Sequence, residues 1–138
     1  MASLKHRYSW VRGRHTKRRL YPTRNEQLLR DIVSEMGFDA EYEVEYEYPE
    51  AREYKGVCLW YDIRIEYMGK TVIIDLKQVY PSAWGGARSR KRNERVHNEK
   101  LAYVANNNIP FIEIKPGPKV AMRVQLEMAL LRMRLDFK

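Results

Sequence analysis

Asp75 and Lys77 stand on either side of Leu76 in the run Val72-Ile-Ile-Asp-Leu-Lys-Gln78. In an extended strand side chains alternate between faces, so Ile73, Asp75 and Lys77 project from one face. The carboxylate and the ammonium then lie about 7 Å apart along the backbone. A preceding antiparallel strand brings Asp62 into the same neighbourhood. Two crowded carboxylates are costly unless a cation binds or one of them takes up a proton. A hard divalent cation with oxygen ligands, such as Mg²⁺, relieves that repulsion. It also polarises a scissile phosphate and acidifies water. Lys77 is suited to orienting the water or stabilising negative charge as the bond breaks. Glu26 is a fourth candidate, because its spacing to Leu29 and Val33 puts it on the apolar side of a helix. Metal coordination, direct or through water, would give a carboxylate there a use. A capping box with Thr23 would do so too, and the two roles are compatible. Taken singly, Asp62 could be an ordinary polar residue of a strand face, and Asp75 with Lys77 an exposed ion pair. The conjunction is what points to metal-assisted chemistry.

The elements that must position these residues are legible in the hydrophobic pattern. Thr23 precedes Leu28, Leu29, Ile32, Val33 and Met36 at helical spacing, and Gly37 follows, which predicts a helix over 24–36. Residues 41–48 alternate strictly, which puts Tyr42, Val44, Tyr46 and Tyr48 on one face and four glutamates on the other. Residues 57–67 alternate as well. Val57, Leu59, Tyr61, Ile63, Ile65 and Tyr67 are expected on one face, and Cys58, Trp60, Asp62, Arg64 and Glu66 on the other. Met68-Gly69-Lys70 reads as a hairpin turn into a third strand over 71–79, whose Val72-Ile73-Ile74 run implies burial on both faces. Pro81 and Gly85-Gly86 mark a loop. A basic helix follows over 88–106, broken by three asparagines, and then a short strand at 111–114. A helix between two strands implies a crossover and a parallel pairing. Residues 119–135 read as a closing amphipathic helix. The expected fold is therefore α/β in the α+β sense, with a mixed sheet. An N-terminal arm occupies 1–23 and one domain 24–138.

Glu26, Asp62 and Asp75-Leu76-Lys77, in that order, resemble the PD-(D/E)XK nuclease superfamily. The element order αβββαβ over about 24–115 is similar to its restriction-endonuclease-like core and covers about two thirds of the chain. The resemblance implies Mg²⁺- or Mn²⁺-dependent hydrolysis of phosphodiester bonds. It implies that Glu26, Asp62 and Asp75 hold metal and that Lys77 serves the water. Gln78 stands where several related enzymes carry glutamine, and it reads equally as an ordinary polar residue at a strand end. Tyr61 stands where the family usually has proline. The helix containing Arg95, Asn98 and Lys100, running into Ile109-Pro-Phe-Ile-Glu-Ile114, is similar to very-short-patch repair and other small single-domain nucleases. Phage-type Holliday junction resolvases and intron-encoded homing endonucleases are similar in size and arrangement.

The formal net charge is +8, and its placement is uneven. Residues 1–24 hold eight basic side chains and no acid, leaving 18 basic against 18 acidic in the remainder. An arm carrying Arg12, Arg14, Lys17, Arg18 and Arg19, interleaved with Trp10 and Tyr21, suits a polyanion, although a solubilising tail would look similar. Arg88, Arg90, Lys91, Arg92 and Arg95 crowd a helix start, where the helix dipole disfavours cations. Phosphate binding would offset that; a solvated basic face is the alternative. His97 reads as a surface or packing residue. The single Cys58 excludes an internal disulfide and a multi-cysteine metal site, and no apolar run approaches the ~20 residues of a membrane span. An intracellular, cytoplasmic location is the expectation, with no membrane partner. Met122, Met128 and Met133 suit a core or a dimer interface.

These features predict a divalent-metal-dependent DNA endonuclease. One catalytic site per chain implies a homodimer or higher homo-oligomer for a double-strand cut. Two other outcomes remain open at this level: a non-catalytic DNA-binding protein on a nuclease fold, and an RNA-processing nuclease.

Overall fold

The computed structural model describes residues 10–11, 14–15, 22–48, 57–77 and 87–137. Of the arm, Pro22, Thr23 and a short ribbon fall within that set, the ribbon being β1 (Trp10–Val11) antiparallel to β2 (Arg14–His15). Arg12, Lys17, Arg18 and Arg19 lie outside the described residues, as do Gln78 and the glycine-containing loop after it. The rest is α+β, in the order α1 (Arg24–Glu35), β3 (Ala40–Tyr48), β4 (Val57–Tyr67), β5 (Lys70–Leu76), α2 (Ala87–Asn106), β6 (Phe111–Ile114) and α3 (Lys119–Asp136). Strands β3, β4, β5 and β6 form an open mixed sheet in that order. The first two pairings are antiparallel and β5–β6 is parallel, as the intervening helix predicted. No helix among the described residues is long and apolar enough to cross a membrane.

Local chemistry sets the boundaries. Helix α1 begins with a complete capping box: Glu26 N–H donates to Thr23 Oγ1 at 3.2 Å, and Thr23 N–H donates to Glu26 Oε1 at 2.7 Å. It ends on Gly37 at φ +86°, where Gly37 N–H donates to Ser34 O and Phe38 N–H to Val33 O. Helix α2 ends in the same way with Asn108 in the left-handed position. Between β4 and β5, Met68 and Gly69 both have positive φ, which a two-residue turn needs to match strand twist.

One apolar core lies between the sheet and the pair α1 and α3. Leu29, Ile32 and Val33 of α1 meet Met122, Leu126 and Leu130 of α3 there, over Ile63, Ile65, Val72, Ile74, Ile112 and Ile114. The opposite face carries a smaller cluster in which Leu59, Tyr61 and Ile73 pack against Val104 of α2, with Tyr46, Tyr103 and Phe111 alongside. Val72, Ile73 and Ile74 are fully buried, so β5 is covered on both faces as predicted. It ends at Leu76, short of the expected position 79.

The predicted alternation of β3 and β4 is broken at one place. Ile63 and Ile65 face α1 and α3, yet Leu59 and Tyr61 face α2. Strand β4 thus reverses its faces at Asp62. Strand β3 does the same: Ala40 packs toward α1 and Arg30 of α1 lies over the ring of Tyr42, whereas Tyr46 packs with Tyr61 and Tyr103. The cause is local. The β3–β4 register pairs Tyr42 with Ile63 and Val44 with Tyr61, and the intervening pair Glu43 and Asp62 drops out of the ladder. Glu43 adopts φ +53°, left-handed backbone that turns the strand over. A period-two pattern in sequence cannot reveal a residue on each strand that is spent on such a turn.

Candidate active site

The face reversal opens the sheet where the acids sit. The β4–β5 ladder runs from Tyr67↔Lys70 to Ile63↔Ile74 and stops. Continuing it would put Asp62 opposite Asp75 and Tyr61 opposite Leu76. Instead, the two carboxylates take over the backbone donors that the ladder releases. Asp62 N–H, withdrawn from β3, donates to Asp75 Oδ1 at 2.9 Å. Leu76 N–H donates to Asp62 Oδ2 at 2.7 Å. Each acid is therefore fixed by the other's strand, and the cost of leaving buried N–H groups unpaired is avoided. On its other edge β5 stays attached to β6, with Lys77 N–H donating to Ile114 O at 2.7 Å.

Electrostatics follow from this packing. Asp75 is 4% exposed, the one buried charged residue among those described. Asp62 is partly buried, and its carboxyl is pushed up to about 7. Burial is the larger cause, and the adjacent Asp75 charge adds to it; the Leu76 N–H and Lys100 pull the other way. Asp75 meets its counter-charge in Lys100 of α2, whose Nζ donates to Oδ2 at 2.6 Å. Lys77, by contrast, is exposed, and its ammonium has no ion-pair partner among the described residues.

Asp62 and Asp75 are thus brought together, and Lys77 follows the end of β5 as an exposed residue. Glu26 serves the capping box of α1; no group of three or more His, Cys, Asp or Glu side chains suited to a metal forms among the described residues. Lys91 and Arg95 are exposed on α2. Arg88, Arg90 and Arg92 belong to the same helix and Arg14 to β2, but their side chains lie outside the described residues. A depression of about 390 Å³, lined by Lys91, Glu94, Arg95, Asn98, Glu99 and Ala102, runs along α2. It is open to solvent and does not include the acid pair, so it suits contact with a large ligand rather than enclosure of a reaction. His97 Nε2 lies 3.4 Å from Glu113 Oε2, on the strand position in register with Asp75.

Lys100 is the site residue that sequence reasoning passed over. The signal was present: Lys100 falls one turn after Val96 and one turn before Tyr103 and Val104. A lysine inside a helix's apolar stripe needs a buried anion. Tyr61 donates from its hydroxyl to Lys100 O at 2.8 Å, so it fixes the helix to the sheet at the site.

No family model, curated protein or solved structure matches the chain.

The raised Asp62 carboxyl predicts a pH dependence of the metal-free chain. The folded state keeps a proton that the unfolded state releases, so Asp62's contribution to stability is present below about 4 and is lost as pH rises to about 7. Asp62→Asn mimics the protonated form. Its melting temperature should match the parent near pH 4 and exceed it at pH 8. A difference that does not change with pH would contradict this protonation.

Proposed function

We propose that the chain is a divalent-metal-dependent DNA endonuclease with the restriction-endonuclease-like arrangement. The observation that carries this reading is the Asp62–Asp75 pair, locked across the opening between β4 and β5 and followed in sequence by an exposed Lys77. The order of helix, three antiparallel strands, helix and parallel strand supports it. So does the run of basic residues at the start of α2.

The donor set fits Mg²⁺ or Mn²⁺. Two adjacent carboxylates, one of them raised by burial and by the charge of the other, are a site that gains from positive charge. Mg²⁺ in particular is commonly held by one or two carboxylates, with waters and substrate oxygens completing the shell. When bound, such an ion polarises the phosphoryl oxygen and favours ionisation of the attacking water. The chain's own residues do the rest. Asp62 and Asp75 hold the ion, and backbone N–H groups fix both carboxylates before substrate arrives. Lys77, exposed on the same side of β5, orients the water and stabilises charge on the phosphate. Lys91 and Arg95 contact the nucleic-acid backbone and set register without reading sequence. Glu26, which caps α1, would act on the ion only through water.

The absence of a third convergent acid among the described residues favours one rival, a non-catalytic DNA-binding protein on this fold. RNA in place of DNA is the remaining alternative. A substrate panel in Mg²⁺ and Mn²⁺ separates them: four-way junction, mismatched duplex, plain duplex, single strand and matched RNA. We expect cleavage of DNA, reduced on the order of 100-fold by Asp75→Ala and by Lys77→Ala. Equal activity in the parent and both variants would refute the catalytic role. DNA binding without cleavage in either ion would favour the rival.

A double-strand cut requires two such sites, and a second copy of the chain provides the other. Helix α3 offers the surface. Its inward residues fill the core, while Val120, Val124, Met128, Leu131 and Leu135 remain half to three-quarters exposed. Val120, Val124, Leu131 and Leu135 are placed symmetrically about the middle of the helix, so an antiparallel copy would set Val124 against Leu131 and Val120 against Leu135. Light scattering should give a dimer that Val124→Asp with Leu131→Asp converts to monomer. A monomeric parent at micromolar concentration would contradict the pairing.

A further inference from the structure

Lys100 has the geometry of a site residue and no part in the reading above. Its side chain is 16% exposed and is held at both ends. The Tyr61 hydroxyl fixes its carbonyl, and its Nζ lies 4.8 Å from the centre of the Tyr61 ring and 2.6 Å from Asp75 Oδ2. A buried lysine is sustained only by such a partner.

The contacts of the two acids differ in kind. Asp75 Oδ1 and Asp62 Oδ2 are held by backbone N–H groups that belong to the strands. Those bonds persist as long as the sheet does. The bond from Lys100 to Asp75 Oδ2 comes from a long side chain with four rotatable bonds, and a lysine ammonium is a mobile point charge rather than a fixed fork. It is the contact that an entering cation can replace.

Resting on the nuclease reading, we propose that Lys100 is the exchangeable cation of the site. It occupies Asp75 Oδ2 in the metal-free chain and yields that oxygen to a divalent cation. Its ammonium is then offered to a phosphate of the bound nucleic acid. The exchange leaves neither the carboxylate nor the ammonium uncompensated: the entering ion replaces one partner and the phosphate the other. The Tyr61 anchor keeps the displaced lysine beside the acids, because it holds the backbone of α2 and not the ammonium. Lys77 and Lys100 would thus approach the phosphate from β5 and from α2.

The test separates metal affinity from turnover. Mn²⁺ binding is followed by the electron paramagnetic resonance signal of the free ion, for the parent and for Lys100→Met, a variant of similar length without the charge. We expect Lys100→Met to bind Mn²⁺ on the order of tenfold more tightly, because a competitor has gone. In saturating Mn²⁺ it should cleave DNA on the order of 100-fold more slowly. Should Lys100→Met fail to fold, the ¹⁵N signal of the Lys100 ammonium in the parent decides: adding Mg²⁺ should release it from Asp75 and shift it. Unchanged Mn²⁺ affinity in Lys100→Met, full cleavage by it, or an ammonium signal that ignores bound Mg²⁺ would each overturn the exchange while leaving the nuclease reading in place. A parent that binds neither ion overturns both.

Discussion

Two aspartates are forced together because the sheet gives up two ladder positions. Asp62 N–H leaves β3 and Leu76 N–H lacks a partner on β4, and a carboxylate from the neighbouring strand satisfies each. Neither acid can move away without stranding a buried donor, a cost of about 1–3 kcal/mol each. The crowding of the carboxylates is therefore built into the fold, and the Asp62 carboxyl is raised first by its burial and then by the adjacent Asp75 charge. Much of the surrounding structure can be understood as what holds that arrangement in place.

On one side the support is apolar. The core under α1 and α3 fixes Ile63, Ile65 and Ile74, the last regular positions before the opening. On the other side it is mixed. Tyr61 packs edge-on against Tyr46 and Phe111, and its hydroxyl ties α2 to the sheet through Lys100 O. The face reversal joins the two halves: without it Tyr61 and Ile63 would lie on the same side of β4, and the site would have no wall on the α2 side. Parallel pairing of β6 with β5 completes the frame, holding Lys77 at the end of its strand.

Most of this frame was readable from sequence, because it rests on periodicity and end signals. The capping box at Thr23 and Glu26, the stop at Gly37 and the turn at Met68-Gly69 are local, and each appears where its residues imply. Asp75 could be placed on the face of Ile73 because β5 is regular as far as Leu76. Asp62 could be placed near Asp75, but not in the contact it makes. Alternation assigned it to the face opposite Tyr61 and Ile63 alike, whereas Glu43 at φ +53° reverses the strand there. No residue type announces that reversal; glycine or asparagine would have, and glutamate does not. Lys100 was overlooked for a different reason. Its partner is 25 residues away in sequence, and only tertiary packing shows that an ammonium in an apolar helix stripe meets Asp75. Glu26 illustrates the converse, a residue whose local role explains its spacing without reference to the site.

Calorimetric titration of Mn²⁺ into the parent, Asp62→Asn and Asp75→Asn, each confirmed folded by its thermal transition, tests whether the Asp62–Asp75 pair is a divalent-cation site as well as a structural clasp. One saturable site per chain is expected in the parent, weakened or lost in each variant. No binding in the parent, or binding that survives both substitutions unchanged, would contradict it.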